Sequence, residues 1–401
     1  MAARRPTGGS SARSSTGGTW QAGFLVGAAL GAAVTVLGRR AEQEARAGLV
    51  DWPAVGRLAE ARLRRAPGRL SSLEIAATAP AYRAAMARVV PALEEALGVP
   101  LPGIVDRVAV VGRGGWVEAN LASFAGIFGK LEGDLLDQLV PPSAGLLKAS
   151  IALANRWVTS QQLGFLLGFM GQRVLGQYDM ALLSAGAEPG QLLFVEENIR
   201  ATAVALGVDM APFRTWIALH ETTHAFEFEA HPWLRPYLAE RLERQLRAFS
   251  RTSTSLGGEA TRAVGRALRG GDGHWLERLM SDEQRTLFRE TQAVMSLLEG
   301  FGDHVMDSVG KDLVPGVETI SARFHARRAS RTPMERAILR LTGLDLKMEQ
   351  YARGERFVAG IDHLGRGSAL RRLWDGPETL PRDDELDHPE RWTRRVLGTP
   401  A

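Results

Sequence analysis

The chain has 401 residues, 45% of them hydrophobic, which is typical of a globular protein with one large core or two domains. Cysteine is absent, which excludes disulfide bonds, thiolate metal ligands and a cysteine nucleophile. The formal net charge is only +4, and no lysine and arginine cluster with interleaved aromatic residues occurs, so the sequence does not support nucleic-acid binding.

The N-terminal part differs in composition from the rest. Residues 1–18 are rich in glycine, serine, threonine and arginine, which predicts a disordered basic N-terminus. Residues 19–40 are apolar and rich in glycine and alanine, and the stretch 20–37 carries no charge. A transmembrane helix needs about 20 apolar residues, so three interpretations stay open: a transmembrane helix, a cleaved signal peptide, or a soluble helix. We accordingly expect the protein either at a membrane, through residues 20–37, or in the cytoplasm.

Residues 50–397 are predicted to form one mostly helical domain. Apolar residues recur every three or four positions in the stretches 81–97, 121–139, 144–167 and 334–357. Two short apolar stretches, 107–111 and 192–196, are predicted as strands. The predicted fold class is therefore mainly α with a small β element.

The strongest functional signal is the HExxH pattern at residues 220–224. Helix residues four apart share one face, so the imidazoles of His220 and His224 can bind one zinc ion. The carboxylate of Glu221 can then face a water on that zinc and accept its proton. The flanking residues are largely apolar, which favours a buried helix over a solvated one, and buried histidines and glutamates need partners.

A catalytic zinc ion usually has three protein ligands, and two residues compete as the third. His231 follows His224 by seven residues, one more than the metzincin spacing, and Glu227 stands where that pattern has a glycine. In a continuous helix His231 would lie about 10 Å further along the axis. Pro232 also disfavours helical geometry at His231, so we predict a helix-end residue there.

The better third ligand is Glu299, which Asp303 follows four residues later. This is the gluzincin spacing, in which the glutamate binds the metal. The aspartate can accept the N–H of a metal-bound histidine and fix its tautomer. The alternative is an ordinary amphipathic helix with two exposed acids.

The helix that carries Glu299 is predicted to start at a capping box formed by Ser281 and Gln284. It contains Gly300 and Gly302, and glycine inside a helix costs up to about 1 kcal/mol. Close approach of a second backbone would explain both glycines, and we predict that this backbone belongs to the HExxH helix.

Several segments along the chain are similar to those of a known family: residues 115–120, 173–179, 213–224, 232–235, 297–300, 305–307 and 346–354. Together they resemble the zincin-like metallopeptidases of high-GC bacteria, which are sometimes labelled as associated with deazaflavin-cofactor biosynthesis. The resemblance extends over residues 50–397 and implies a bacterial protein. It implies that His220 and His224 bind zinc and that Glu221 is the general base. It also implies Glu299 as third ligand, and a strand beside the metal helix where an extended substrate can pair.

A zinc peptidase also needs a hydrogen-bond donor for the developing oxyanion, and gluzincins often use a tyrosine or a histidine. Tyr351 is the first choice for this role and Tyr178 the second. The alternative for both is a buried tyrosine whose hydroxyl bonds a backbone group.

The sequence thus predicts a gluzincin-like zinc metallopeptidase, with the pattern HExxH followed by ExxxD, acting on a peptide or protein substrate. A zinc-bound water, activated by Glu221, attacks the peptide carbonyl. Two alternatives stay open: a non-catalytic helical protein that binds a metal or a partner, and a zinc hydrolase of a non-peptide amide.

Overall fold

The structure is a computed structural model that describes residue 43 and residues 47–139, 145–179, 190–255, 280–329, 346–365 and 368–398. Helices predominate in these ranges and one small sheet is present, so the predicted mainly α fold class is confirmed. The chain divides into two units, residues 51–135 with 160–401 and residues 1–50 with 136–159. The described ranges contain no helix that is long and apolar enough to cross a membrane. The predicted segments 1–18 and 20–37 lie outside these ranges.

The helices and strands are named here in chain order. The first half contains α1 (Trp52–Leu63), α2 (Ser72–Ala76), α3 (Ala79–Leu97), β1 (Val108–Val111), α4 (Arg113–Leu139), α5 (Gly145–Gly171), β2 (Gly176–Asp179), β3 (Gln191–Val195) and α6 (Glu196–Leu206). The second half contains α7 (Met210–Glu229), α8 (Leu234–Ser255), α9 (Asp282–Leu313), α10 (Val317–Ala329), α11 (Leu346–Gly365), α12 (Ser368–Arg372) and α13 (Pro389–Leu397). Short 3-10 helices cover Val105–Arg107, Pro377–Thr379 and Asp383–Glu385. The predicted helices correspond to α3, α4, α5 and α11, although residues 334–345 are not described.

The sheet has three strands in the order β1-β3-β2. Strand β1 runs parallel to β3, with Val108 opposite Leu192, and β2 runs antiparallel to β3, with Tyr178 opposite Leu192. The two predicted strands are confirmed to within one residue at each end. The third, β2, was not predicted, and in the described part of the chain it forms the sheet edge nearest to α7.

Helix α7, which carries the HExxH pattern, is buried around almost its whole circumference. It packs against α3, α9 and β2, and the buried side chains include Trp216, Ile217, Leu219, Phe226 and Phe228. A helix that is apolar on all sides belongs in a core, as the flanking residues predicted. Some polar side chains on this helix, among them Glu221 and Glu227, are buried with them.

Helix α9 begins at the predicted capping box, in which Ser281 and Gln284 bond each other's backbone N–H groups. Its Gly300 contacts the backbone of α11 at Gly354: an added Cβ on residue 300 would overlap the Gly354 backbone. The prediction that the HExxH helix approaches Gly300 is therefore wrong. At Gly302 an added Cβ would lie 3.4 Å from the ring of His220, so this glycine makes room for a side chain of α7.

Candidate metal centre

The three predicted metal ligands converge between two helices. His220 and His224 project from one face of α7 with ring centroids 4.7 Å apart, and Glu299 projects from α9. Oε2 of Glu299 lies 3.9 Å from Nε2 of His220 and 3.8 Å from Nε2 of His224. One ligand atom from each side chain thus lies within 4.8 Å of the other two.

The donor set and its spacing fit a small divalent cation. Two imidazole nitrogens and a carboxylate oxygen are common zinc ligands, and around a tetrahedral zinc with bonds of about 2.0–2.2 Å such atoms lie roughly 3.4 Å apart. The two separations from Glu299, 3.9 and 3.8 Å, are slightly longer, so a small movement of its side chain would bring the carboxylate oxygen to that spacing. Among the described residues this cluster offers three ligands, the number that leaves a position for water in catalytic zinc sites.

Glu221 is buried, with 7% of its surface exposed, and its carboxylate interacts electrostatically with His224 and Glu299 of the same cluster. Burial and the neighbouring carboxylate of Glu299 raise its pKa to about 7, against the opposing effects of His224 and of a hydrogen bond from the backbone of Tyr178. A carboxyl group whose pKa lies near neutrality can both accept and return a proton at physiological pH.

Strand β2 defines the space around Glu221. A Cβ atom on Gly176 would lie 2.6 Å from Cγ of Glu221 and 2.7 Å from its Oε1, whereas carbon atoms in contact are about 3.5–4.0 Å apart. Only glycine therefore fits at position 176 without a shift. Because the backbone N–H of Tyr178 donates to the same carboxylate, β2 both makes room for Glu221 and orients it.

Each imidazole has a partner at its second ring nitrogen. Nδ1 of His224 donates to Oε2 of Glu227 at 2.8 Å, and Nδ1 of His220 lies 3.0 Å from Sδ of Met306. A proton on Nδ1 leaves the lone pair on Nε2, which is the nitrogen that faces Glu299. Both rings are therefore oriented to bind a metal through Nε2.

Glu227 was not predicted from the sequence as a site residue. It lies three positions after His224 on α7, and residues at this spacing are neighbours on a helix, so the spacing was the signal that could have identified it. Burial raises the pKa of Glu227 to about 7. Asp303, which the gluzincin spacing predicted as the histidine partner, lies partly buried on α9 one turn after Glu299, and its role stays a prediction.

The histidines that were not predicted as ligands lie in other contacts. His231 follows the end of α7, as predicted; its Nδ1 donates to the carbonyl oxygen of Glu227 at 2.9 Å, and its ring stacks on Trp374. His304 lies 3.5 Å from a carboxylate oxygen of Asp362. These contacts account for both histidines without a metal.

Of the two tyrosines considered as oxyanion donors, the structure describes the side chain of Tyr178 but not that of Tyr351. The hydroxyl of Tyr178 donates to Glu229 at 2.7 Å and accepts the backbone N–H of Gly190 at 3.0 Å, so it serves as a buried structural group. Tyr351 belongs to α11, but its side chain lies outside the part of the structure that is described.

Comparison with known proteins decides the family. The sequence matches the family described as zincin-like metallopeptidase over residues 50–393. The chain belongs to this family. A crystal structure from Chloroflexus aurantiacus, described as "a putative hydrolase with a novel fold", is 34% identical, with a TM-score of 0.62 over 88% of this chain and 100% of that chain. No curated protein matches the chain.

Membership of the zincin-like metallopeptidases confirms the resemblance found in the sequence. Together with the Chloroflexus structure it supports a hydrolase. The family also implies a metal ion, usually zinc, and the cluster of His220, His224 and Glu299 has the donors that such an ion requires.

Proposed function

We propose that the protein is a zinc-dependent metallopeptidase. His220, His224 and Glu299 hold the metal, and Glu221 is the general base. The observation that carries this proposal is the position of Glu221, whose buried carboxylate interacts electrostatically with His224 and Glu299 without being one of the three ligands. A structural zinc site is closed by four protein ligands and has no use for such a carboxylate.

The reaction follows from what the side chains can do. Zinc at this position would polarise both a water molecule and the substrate carbonyl. The carboxylate of Glu221 accepts a proton from the water as its oxygen attacks the carbonyl carbon. Glu221 then delivers that proton to the leaving nitrogen while the C–N bond breaks. The backbone N–H of Tyr178 holds the carboxylate in place during both transfers.

The position of β2 supports an extended peptide as the substrate. An edge strand offers backbone N–H and C=O groups with which an extended chain can pair. Strand β2 is such an edge in the described part of the sheet, and its backbone already contacts the carboxylate of Glu221. A peptide aligned on β2 would therefore pass close to the general base.

The test compares zinc content and cleavage of a peptide library in the wild type and in Glu221→Gln. Glutamine keeps the shape of the side chain but cannot accept the proton, so zinc should stay bound at about one ion per chain while cleavage falls by at least about 10²-fold. Glu318→Gln, which changes an exposed glutamate on α10, is the matched control and should cleave normally.

Two outcomes would contradict the proposal. Unchanged cleavage in Glu221→Gln would remove the general base from the mechanism, even with zinc present. A wild type that binds zinc but cleaves no member of the library would reject the peptidase and favour a non-catalytic metal site or a hydrolase of a non-peptide amide.

A further inference from the structure

Glu227 has an unusual environment that the proposed reaction does not use. Its side chain is completely buried in the core around α7. Oε2 accepts the Nδ1–H of His224 at 2.8 Å, whereas Oε1 is buried and has no hydrogen-bonding partner among the described residues. Removing a carboxylate from water is much less favourable than burying a neutral group unless its charge is compensated.

A purely structural role does not account for this carboxylate. Hydrogen bonds between neighbouring side chains on a helix contribute little to its stability, and a neutral glutamine or an apolar side chain would fill the same space without burying a charge. The described contact of Glu227 is directed at a histidine whose other nitrogen faces the cluster. A cation bound to the other nitrogen of that ring would supply positive charge that favours the ionised carboxylate.

We propose that Glu227 is a positioning residue that prepares His224 to bind the metal. This inference rests on the proposed metal site. By accepting the Nδ1–H, Glu227 fixes the tautomer that has its lone pair on Nε2 and prevents rotation of the ring. Its negative charge also makes Nε2 a stronger electron donor, which is the usual effect of a carboxylate behind a metal-bound histidine.

The experiment measures zinc affinity, by competition with a chelator, for the wild type, Glu227→Gln and Glu196→Gln. Glutamine at 227 keeps the volume and an acceptor oxygen but removes the charge, so the affinity should fall by about 10- to 100-fold. Glu196 is equally buried, and its ion pairs are with Arg200 and Arg214. Glu196→Gln is therefore the matched control, which should change the stability of the protein without changing its zinc affinity.

A spectroscopic measurement separates positioning from packing. With Co²⁺ in place of zinc, the visible absorption bands report the ligand field, and they should shift in Glu227→Gln but not in Glu196→Gln. If Glu227→Gln does not fold, the alternative is nitrogen NMR of the zinc-loaded wild type with ¹⁵N-labelled histidine. This measurement shows which ring nitrogen of His224 carries the proton. A proton on Nδ1 of His224 supports the proposal, and a proton on its Nε2 overturns it.

The failure of this inference is distinguishable from the failure of the proposed function. Folded Glu227→Gln with wild-type zinc affinity and an unchanged cobalt spectrum would overturn the role of Glu227 and leave the metallopeptidase intact. A wild type that binds no zinc would overturn both.

Discussion

Replacing Gly354 with alanine should destabilise the protein, because α9 and α11 touch at this residue through their backbones. An added Cβ would overlap the carbonyl oxygen of Ser296 and lie 2.6 Å from its carbonyl carbon. Both atoms belong to a helix backbone and cannot rotate away as the end of a side chain could. Restoring an ordinary contact of about 3.5 Å requires the two helices to separate.

The expected change in the free energy of unfolding is the difference between a steric cost and a gain in helix propensity. Adding a methyl group to a well-packed core costs typically about 1–3 kcal/mol. A methyl group that overlaps a helix backbone should cost an amount at or above the upper end of this range. Alanine is also about 1 kcal/mol more favourable than glycine inside a helix. The free energy of unfolding should therefore fall by about 2 kcal/mol or more in Gly354→Ala.

Gly126 provides the matched control, because it also lies inside a helix, α4, and an added Cβ there meets nothing within 4 Å. Gly126→Ala keeps only the gain in helix propensity and should stabilise the protein by up to about 1 kcal/mol. Urea unfolding of the metal-free proteins, followed by circular dichroism, measures both changes. If Gly354→Ala resists urea as well as Gly126→Ala does, the close crossing of the two helices is incorrect.

Three further predictions concern the metal, acid sensitivity and the core. Glu299→Ala should lose most of its zinc, whereas His231→Ala should retain it, and metal analysis of the purified proteins measures both. Asp303→Asn should weaken the zinc affinity by about 10- to 100-fold. Burial lowers the pKa of His231 below its usual 6.5, so the unfolded chain binds the proton more readily than the folded protein. The free energy of unfolding should then decline as the pH falls through 6.5. In thermal melts, His231→Gln should show a weaker decline than the wild type. If both proteins show the same pH dependence, His231 does not cause the decline. Tyr82→Phe removes the 2.7 Å hydrogen bond to the buried carboxylate of Glu196, so urea unfolding should show a loss of about 1.5 kcal/mol, and equal stability would contradict that contact.

Local spacing made the ligands of the candidate site predictable. The positions of His220 and His224 follow from helical periodicity, because residues four apart share a face whatever the rest of the fold does. The capping box at Ser281 likewise depends on only four residues of sequence. Such features are set within one or two helical turns, so a single sequence is sufficient to identify them.

Features that depend on tertiary packing were missed or wrongly assigned. Strand β2 has the sequence Gly-Gln-Tyr-Asp, which lacks the run of β-branched and aromatic residues that marks a strand, and its structure comes from pairing with β3. Gly300 correctly indicated close approach of two backbones, but the partner was α11 and not the HExxH helix. A glycine in a sequence indicates that space is needed, whereas the fold determines which element fills it.

The candidate ligands also connect two distant parts of the chain. His224 and Glu299 are 75 residues apart in the sequence, so an ion bound by both acts as a reversible cross-link that exists only when α7 and α9 have docked. Free zinc at 100 times the dissociation constant would stabilise the folded state by about 2.7 kcal/mol. The lifetime of the protein in a cell should therefore follow the supply of zinc, with zinc starvation exposing the chain to degradation by other proteases.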